Sequence, residues 1–203
     1  MRLSLAIASR NVGALPLGGT MKFKIIAILS ASSLVAACET TTSYPYQPST
    51  QNVMAFQQTL GANKVRLGAF TRDPGINTTP NCRMMGPVDV SPGKSMEQYL
   101  HDAFQTELFQ AGVISTADGP TIMGRLDAVD LNTVGTGSWS LTMTITSDRD
   151  PAGFQVTSSH SFSSSFSAAS ACNNAAAAFG PAVNALIARA IADPGFRRVA
   201  GQR

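Results

Sequence analysis

From Ser138 to Thr146 the chain alternates without a break. Trp139, Leu141, Met143 and Ile145 are apolar, while Ser138, Ser140, Thr142, Thr144 and Thr146 are small and polar. Successive side chains of a strand point to opposite faces, so this period of two predicts a strand with one packed and one wet face. A first strand, Thr121 to Leu131, precedes it across a Gly135-Thr136-Gly137 turn. A third, Phe154 to Phe166, follows a turn over Asp148 to Gly153. Phe154, Val156, Phe162 and Phe166 share one parity with serines opposite, and His160 shares the apolar parity unless a bulge moves it. Upstream, Lys64 to Phe70 alternates as a half-buried strand. Residues 72–87 read as loop, with Asp73-Pro74-Gly75 a strong turn signal, and Val88 to Val90 as a short strand.

Helical spacing appears twice. Met96, Tyr99, Leu100, Ala103, Phe104, Leu108 and Ala111 form one stripe, opened by a Ser95…Gln98 capping box and closed by Gly112. His101, Asp102, Gln105 and Glu107 are expected on its polar side. The second stripe comprises Ala175, Ala178, Phe179, Ala182, Val183, Leu186, Ile187, Ala190 and Ile191. Pro181 lacks an amide donor and must kink or divide it; Asp193-Pro194-Gly195 ends it. The order strand–helix–three strands–helix implies an α+β, two-layer sandwich, with an antiparallel or mixed sheet of about four strands and helices on one face. The Ser/Thr face is then either solvated or a docking surface.

The first 52 residues follow neither period. Met21-Lys22-Phe23-Lys24 is a basic head, Ile25 to Val35 an apolar run of 11 residues, and Val35-Ala36-Ala37-Cys38 its small-residue end. That is the layout of a secretory signal peptide, too short to cross a bilayer as a helix. Residues 1–20, interrupted by Arg2, Arg10, Gly13 and Pro16, fit no part of it and read as an upstream extension, with translation starting at Met21. Residues 21–37 are then the signal peptide. Residues 38–52, rich in Thr, Ser, Pro and Gln, are a flexible tether in which Tyr44 and Tyr46 are solvated or rest at a membrane interface. Residues 53–203 are the folded domain.

Processing before Cys38 changes the charge. The whole chain has 15 Lys+Arg against 12 Asp+Glu; four of the basic residues and no acid precede Cys38, leaving 11 against 12. No basic patch remains to bind nucleic acid. Two cysteines follow Cys38. In an oxidising compartment Cys82 and Cys172 read as a disulfide, with two separate buried thiols as the alternative.

Chemistry is sparse. Ser91-Pro92-Gly93-Lys94-Ser95 resembles the end of a phosphate loop, but Val88 stands where the motif needs glycine, so no nucleotide is expected. His101 and His160 are isolated, and no serine sits in a strained nucleophile turn. Asp127 and Asp130 are expected on opposite strand faces; Asp148 and Asp150 belong to a turn, and Glu97, Asp102 and Glu107 to a helix surface. No cofactor, metal or catalytic pair is expected.

Val35-Ala36-Ala37-Cys38 resembles the bacterial lipobox. The resemblance implies that Cys38 becomes the lipidated N-terminus, and two or more acyl chains anchor stably. Glu39 in place of aspartate implies, by the enterobacterial sorting rule, the outer membrane facing the periplasm. With the polar tether and the order of elements, the chain resembles small envelope lipoproteins of the YajG-like, LptE-like and transporter-auxiliary kinds. That implies a non-catalytic adaptor or assembly factor with a protein partner, docking on the face of Ser140, Thr142 and Thr144. Two other readings stand beside it. One is an apolar-ligand binder, which needs a cavity between the helices and the Trp139–Ile145 face. The other is a cell-wall enzyme, which needs a cleft with convergent polar groups.

Overall fold

The computed structural model describes residues 45–202. Residues 1–20, the signal peptide and Cys38 lie outside them. The elements are α1 (Thr50–Leu60), β1 (Arg66–Arg72), α2 (Met96–Gln110), β2 (Thr121–Asn132), β3 (Gly137–Ser147), β4 (Phe154–Phe162), α3 (Ala168–Ala192) and α4 (Pro194–Val199). One sheet runs β1-β2-β3-β4. β1 lies parallel to β2, joined by a crossover containing α2, while β2–β3 and β3–β4 are antiparallel hairpins. This is a two-layer α+β sandwich with a mixed sheet, as the alternation and helical stripes imply.

Trp139, Leu141, Met143 and Ile145 of β3 are fully buried, and their polar neighbours are half-exposed. Ile122, Leu126 and Val156 complete the packed face. The Trp139 ring meets Phe179 of α3 edge-on at 5.1 Å, and its Nε1 donates to the Ala175 carbonyl at 2.8 Å. A buried indole thus keeps a partner for its one polar atom. Phe70 of β1 packs on Phe104 of α2, with ring centroids 5.3 Å apart. Gly124 makes room for it, since a Cβ there would lie 2.1 Å from Met143 Cε and 3.0 Å from the Phe70 ring.

The capping box of α2 is present: Ser95 Oγ accepts from the Gln98 amide at 3.3 Å and Gln98 Oε1 accepts from the Ser95 amide at 2.9 Å. Pro181 neither ends nor divides α3, which is helical through all 25 residues. It lies on the exposed side, where water can reach the carbonyl that its missing amide leaves free. Cys82 and Cys172 form a disulfide, with Cα atoms 5.8 Å apart. It staples the loop after β1 to the first turns of α3.

Four expectations are corrected. The tether does not extend to residue 52: α1 begins at Thr50, capped by Ser49, and the chain from Tyr46 is packed on the domain. Val88 and Val90 are buried but form no strand; the nearest pairing is an isolated Asn81–Pro87 bridge. β4 ends at Phe162, leaving Phe166 fully exposed beyond it. Glu107 is not a surface acid but is completely buried.

Candidate functional site

The uncovered face of the sheet carries Ser140, Thr142 and Thr144 in a row along β3. In register they are flanked by Asp130 and Ser159, by Ala128 and Thr157, and by Arg125 and Gln155. The hydroxyls of Thr142 and Thr157 share a hydrogen bond of 2.9 Å. Between Leu126 and Ala128 the register slips by one residue, a β-bulge. A bulge re-aims the strand's parity. Asp127 therefore joins Asp130 on the uncovered face, against the expectation of opposite faces.

Asp127 becomes the hub of that surface. Its carboxylate accepts from Arg125 Nε at 2.6 Å, from Gln155 Nε2 at 3.1 Å and from the Thr144 hydroxyl. Partial burial raises its pKa, but these donors outweigh it and hold the carboxyl below its usual range. A carboxylate so fully engaged is a poor proton acceptor. The face is polar and internally hydrogen-bonded, with a shallow cavity of about 440 Å³ at one end lined by Ala69, Thr71, Met123, Arg125, Thr146 and Pro151.

A second polar cluster lies inside the helical layer. Tyr46 Oη is within hydrogen-bond reach of Glu107 Oε1 on α2 and of Asn184 Oδ1 on α3. Glu107 Oε1 also accepts from the Ser49 amide at 3.1 Å and from Asn52 Nδ2 at 3.3 Å, and Asn184 Nδ2 donates to the Gln47 carbonyl at 3.1 Å. The last bond orients the Asn184 amide, so its oxygen faces Tyr46. Tyr46 has one proton to give. If it goes to Asn184, the Glu107 contact closes only when Glu107 itself is protonated and donates. Burial pushes the Glu107 carboxyl above its usual range despite the hydrogen bonds from Tyr46, Ser49 and Asn52. Its Oε2 is buried without a partner among the described residues. Both follow from the burial of this side chain, which disfavours the charged form.

Neither histidine hydrogen-bonds a serine, threonine or cysteine side chain among the described residues. His101 approaches only its neighbour Asp102, at 3.4 Å, and turns its ring edge-on to Phe70. It lines a cavity of about 810 Å³, beside Arg66, Leu67, Gln105, Phe109 and Ile114. Ser115, also there, accepts from the Ala117 and Asp118 amides. His160 stands opposite Trp139 on β4. Lys94, in the loop reminiscent of a phosphate site, pairs with Asp102 at 2.6 Å. Burial raises the Asp102 pKa, yet Lys94 and His101 hold it below its ordinary value. No group of three or more His, Cys, Asp or Glu suited to a metal occurs among the described residues.

No protein-family model matches the sequence. No curated protein matches it either. Among solved structures, protein XCC0632 from Xanthomonas campestris, described under the family model DUF330, is similar over 79% of this chain and 91% of that one. The two share 14% identity with a TM-score of 0.45. A likeness of that size carries no functional argument.

Behind Trp139, α3 packs directly on β3 through the Phe179 ring and the Ala175 carbonyl. The residues of the proposed docking face are thus brought together, and Cys82 and Cys172 are joined. Asp127 and Glu107 were missed. A single-residue bulge leaves no mark in a hydrophobic pattern. Glu107 did leave one: Tyr99, Ala103, Glu107 and Ala111 share a four-residue spacing, and spacing rather than residue type would have placed it inside.

Proposed function

We propose that this chain is a lipid-anchored envelope lipoprotein acting as a non-catalytic adaptor or assembly factor for a protein partner. The uncovered sheet face carries the reading. A surface on which Thr142, Thr144, Asp127, Arg125 and Gln155 already engage in hydrogen bonds suits docking rather than proton transfer. A polar surface of this kind resembles the rim-and-water chemistry of non-obligate interfaces, which are about as polar as the rest of a protein surface. The lipobox-like Val35-Ala36-Ala37-Cys38 supplies the anchor in this reading, and Glu39, standing where the sorting rule retains chiefly aspartate, favours the periplasmic face of the outer membrane.

The test is a mild-detergent pull-down of the mature protein, with membrane fractionation and intact mass. A stoichiometric partner, an acylated Cys38 and loss of the partner on Thr142→Lys with Thr144→Lys are expected. A lone protein, or a partner retained by that double variant, would overturn the docking face. An unacylated Cys38 would overturn the anchor.

A further inference from the structure

Four of the large apolar side chains left in solvent gather at one end of the molecule. Met84 and Phe166 are as exposed as in an extended chain, Val134 is 70% exposed and Met85 58%. They come from three segments: the loop after β1, the β2–β3 turn and the stretch between β4 and α3. Arg83 ties these together. Its guanidinium donates to the carbonyls of Thr133, Ser165 and Phe166 and to Ser164 Oγ. The adjacent Cys82–Cys172 disulfide fixes the same loop to α3. Arg83 and Met84 both have positive φ, 43° and 63°, in a tight turn closed by Met85 N–H to the Cys82 carbonyl at 2.8 Å. Asparagine and glycine ordinarily fill such a turn. Here it holds a methionine outward at the end of a braced loop.

The N-terminal chain leads to this same end. α1 runs away from it: Gln57 meets the Ala111 carbonyl past the end of α2, and Leu60 meets Gln202. Followed backwards, Ser49 contacts Glu107, while the Tyr46 ring contacts Tyr99, eight residues nearer the start of α2. Tyr99 packs on Phe179 and Glu107 sits by Asn184 through Tyr46, so both helices start on the same side. α3 begins just after Phe166. Along α3, Asn184 is about 24 Å from Ala168 at 1.5 Å per residue. The seven steps from Pro45 back to Cys38 extend to about 25 Å. A lipid on Cys38 in the anchor reading would thus have enough chain to reach the level of the tip. No carboxylate lies in residues 82–86, 133–137 or 163–167, and Arg83 is their one charge, which suits an anionic bilayer surface.

We infer that Met84, Met85, Val134 and Phe166 form a second, non-covalent contact with the bilayer that holds the lipid, so that the domain stands on its braced tip. This rests on the anchor reading above, and the test separates the two. Acylated full-length protein carrying Phe166→Trp is placed in phosphatidylethanolamine–phosphatidylglycerol vesicles with brominated acyl chains. Phe109→Trp, exposed at the far end of α2, is the control; the native Trp139 is buried and common to both. Loss of emission with a blue shift for Phe166→Trp, and neither for Phe109→Trp, is expected. If intact mass and flotation show the lipid but Phe166→Trp is unquenched, the tip contact is overturned and the anchor stands. If Cys38 proves unacylated, the anchor falls; vesicles added to that chain then quench Phe166→Trp and support the tip, or fail to and overturn it. Shielding of Phe166→Trp from iodide by envelope extract, without quenching by brominated lipid, would assign the tip to a protein and overturn the bilayer.

Discussion

Two stretches of irregular chain are fastened to this domain by opposite chemistry. The N-terminal strap, residues 45–49, is held by a buried polar knot in which one carboxyl, one phenol and two amides exchange hydrogen bonds. The loop around Cys82 is held by a covalent bond and by a guanidinium spread over backbone carbonyls. The first fastening contains a titratable carboxyl and the second a reducible bond. A segment that lacks a ladder of its own must borrow partners for its backbone groups, and the borrowed chemistry decides which conditions release it.

The largest effect should come from breaking the covalent fastening. Reduction, or Cys172→Ser, should lower unfolding free energy by up to about 4–5 kcal/mol, the chain-entropy figure for so long a loop. Urea titrations with and without dithiothreitol measure it. Next, Glu107→Ala should destabilise by about 2–3 kcal/mol, because the donors of Ser49 and Asn52 lose their buried acceptor. Proteolysis near Pro45 should accelerate in step, since the strap loses its knot.

A finer test separates the carboxyl from its proton. A group whose folded pKa lies above its unfolded one contributes fully below the unfolded value and loses that contribution as pH rises through the folded one. The strap should therefore weaken as pH climbs above the ordinary carboxylate range, and Glu107→Gln should remove that slope. Asp102 and Asp127, held low, and Asp148, lowered first by the Thr121 amide and then by Arg66, give the opposite slope at lower pH. The difference between wild type and Glu107→Gln isolates the strap. Hydrogen exchange of the Ser49 and Asn52 amides against pH reads it. The smallest effect is expected at the turn: Met84→Gly should stabilise by about 0.5–1 kcal/mol if relief of positive φ outweighs added freedom in the unfolded chain. Thermal melts measure it, and a loss of stability would show that the turn is unstrained.

The two fastenings differ also in how legible they were. β3, α2 and the α3 stripe follow from spacing alone, because each buries one face and the period reports it. The disulfide could be read from a pair of cysteines downstream of a segment that reads as a secretory signal. The strap could not. Pro45 and Pro48 and the run of Thr, Ser and Gln look like linker, yet Asn52, Phe56 and Leu60 sit four apart and are buried. Composition outweighed spacing there. The bulge at Asp127 and the carbonyl cradle of Arg83 depend on chain segments far apart in sequence, which no local pattern encodes. The uncovered sheet face was legible as a face, but its hydrogen-bonded hub at Asp127 was not.

The staple between Cys82 and Cys172 also sets an order of events. A chain made from its N-terminus presents Cys82 ninety residues before its partner. Until Cys172 appears, the β1 loop has no covalent hold, although all four strands have already been made. The brace can therefore close only after the four strands have been made, with most of α3 and all of α4 still to follow. A population trapped with free thiols would be a chain with its sheet assembled and its tip still loose, separable from the mature form by alkylation and mobility alone.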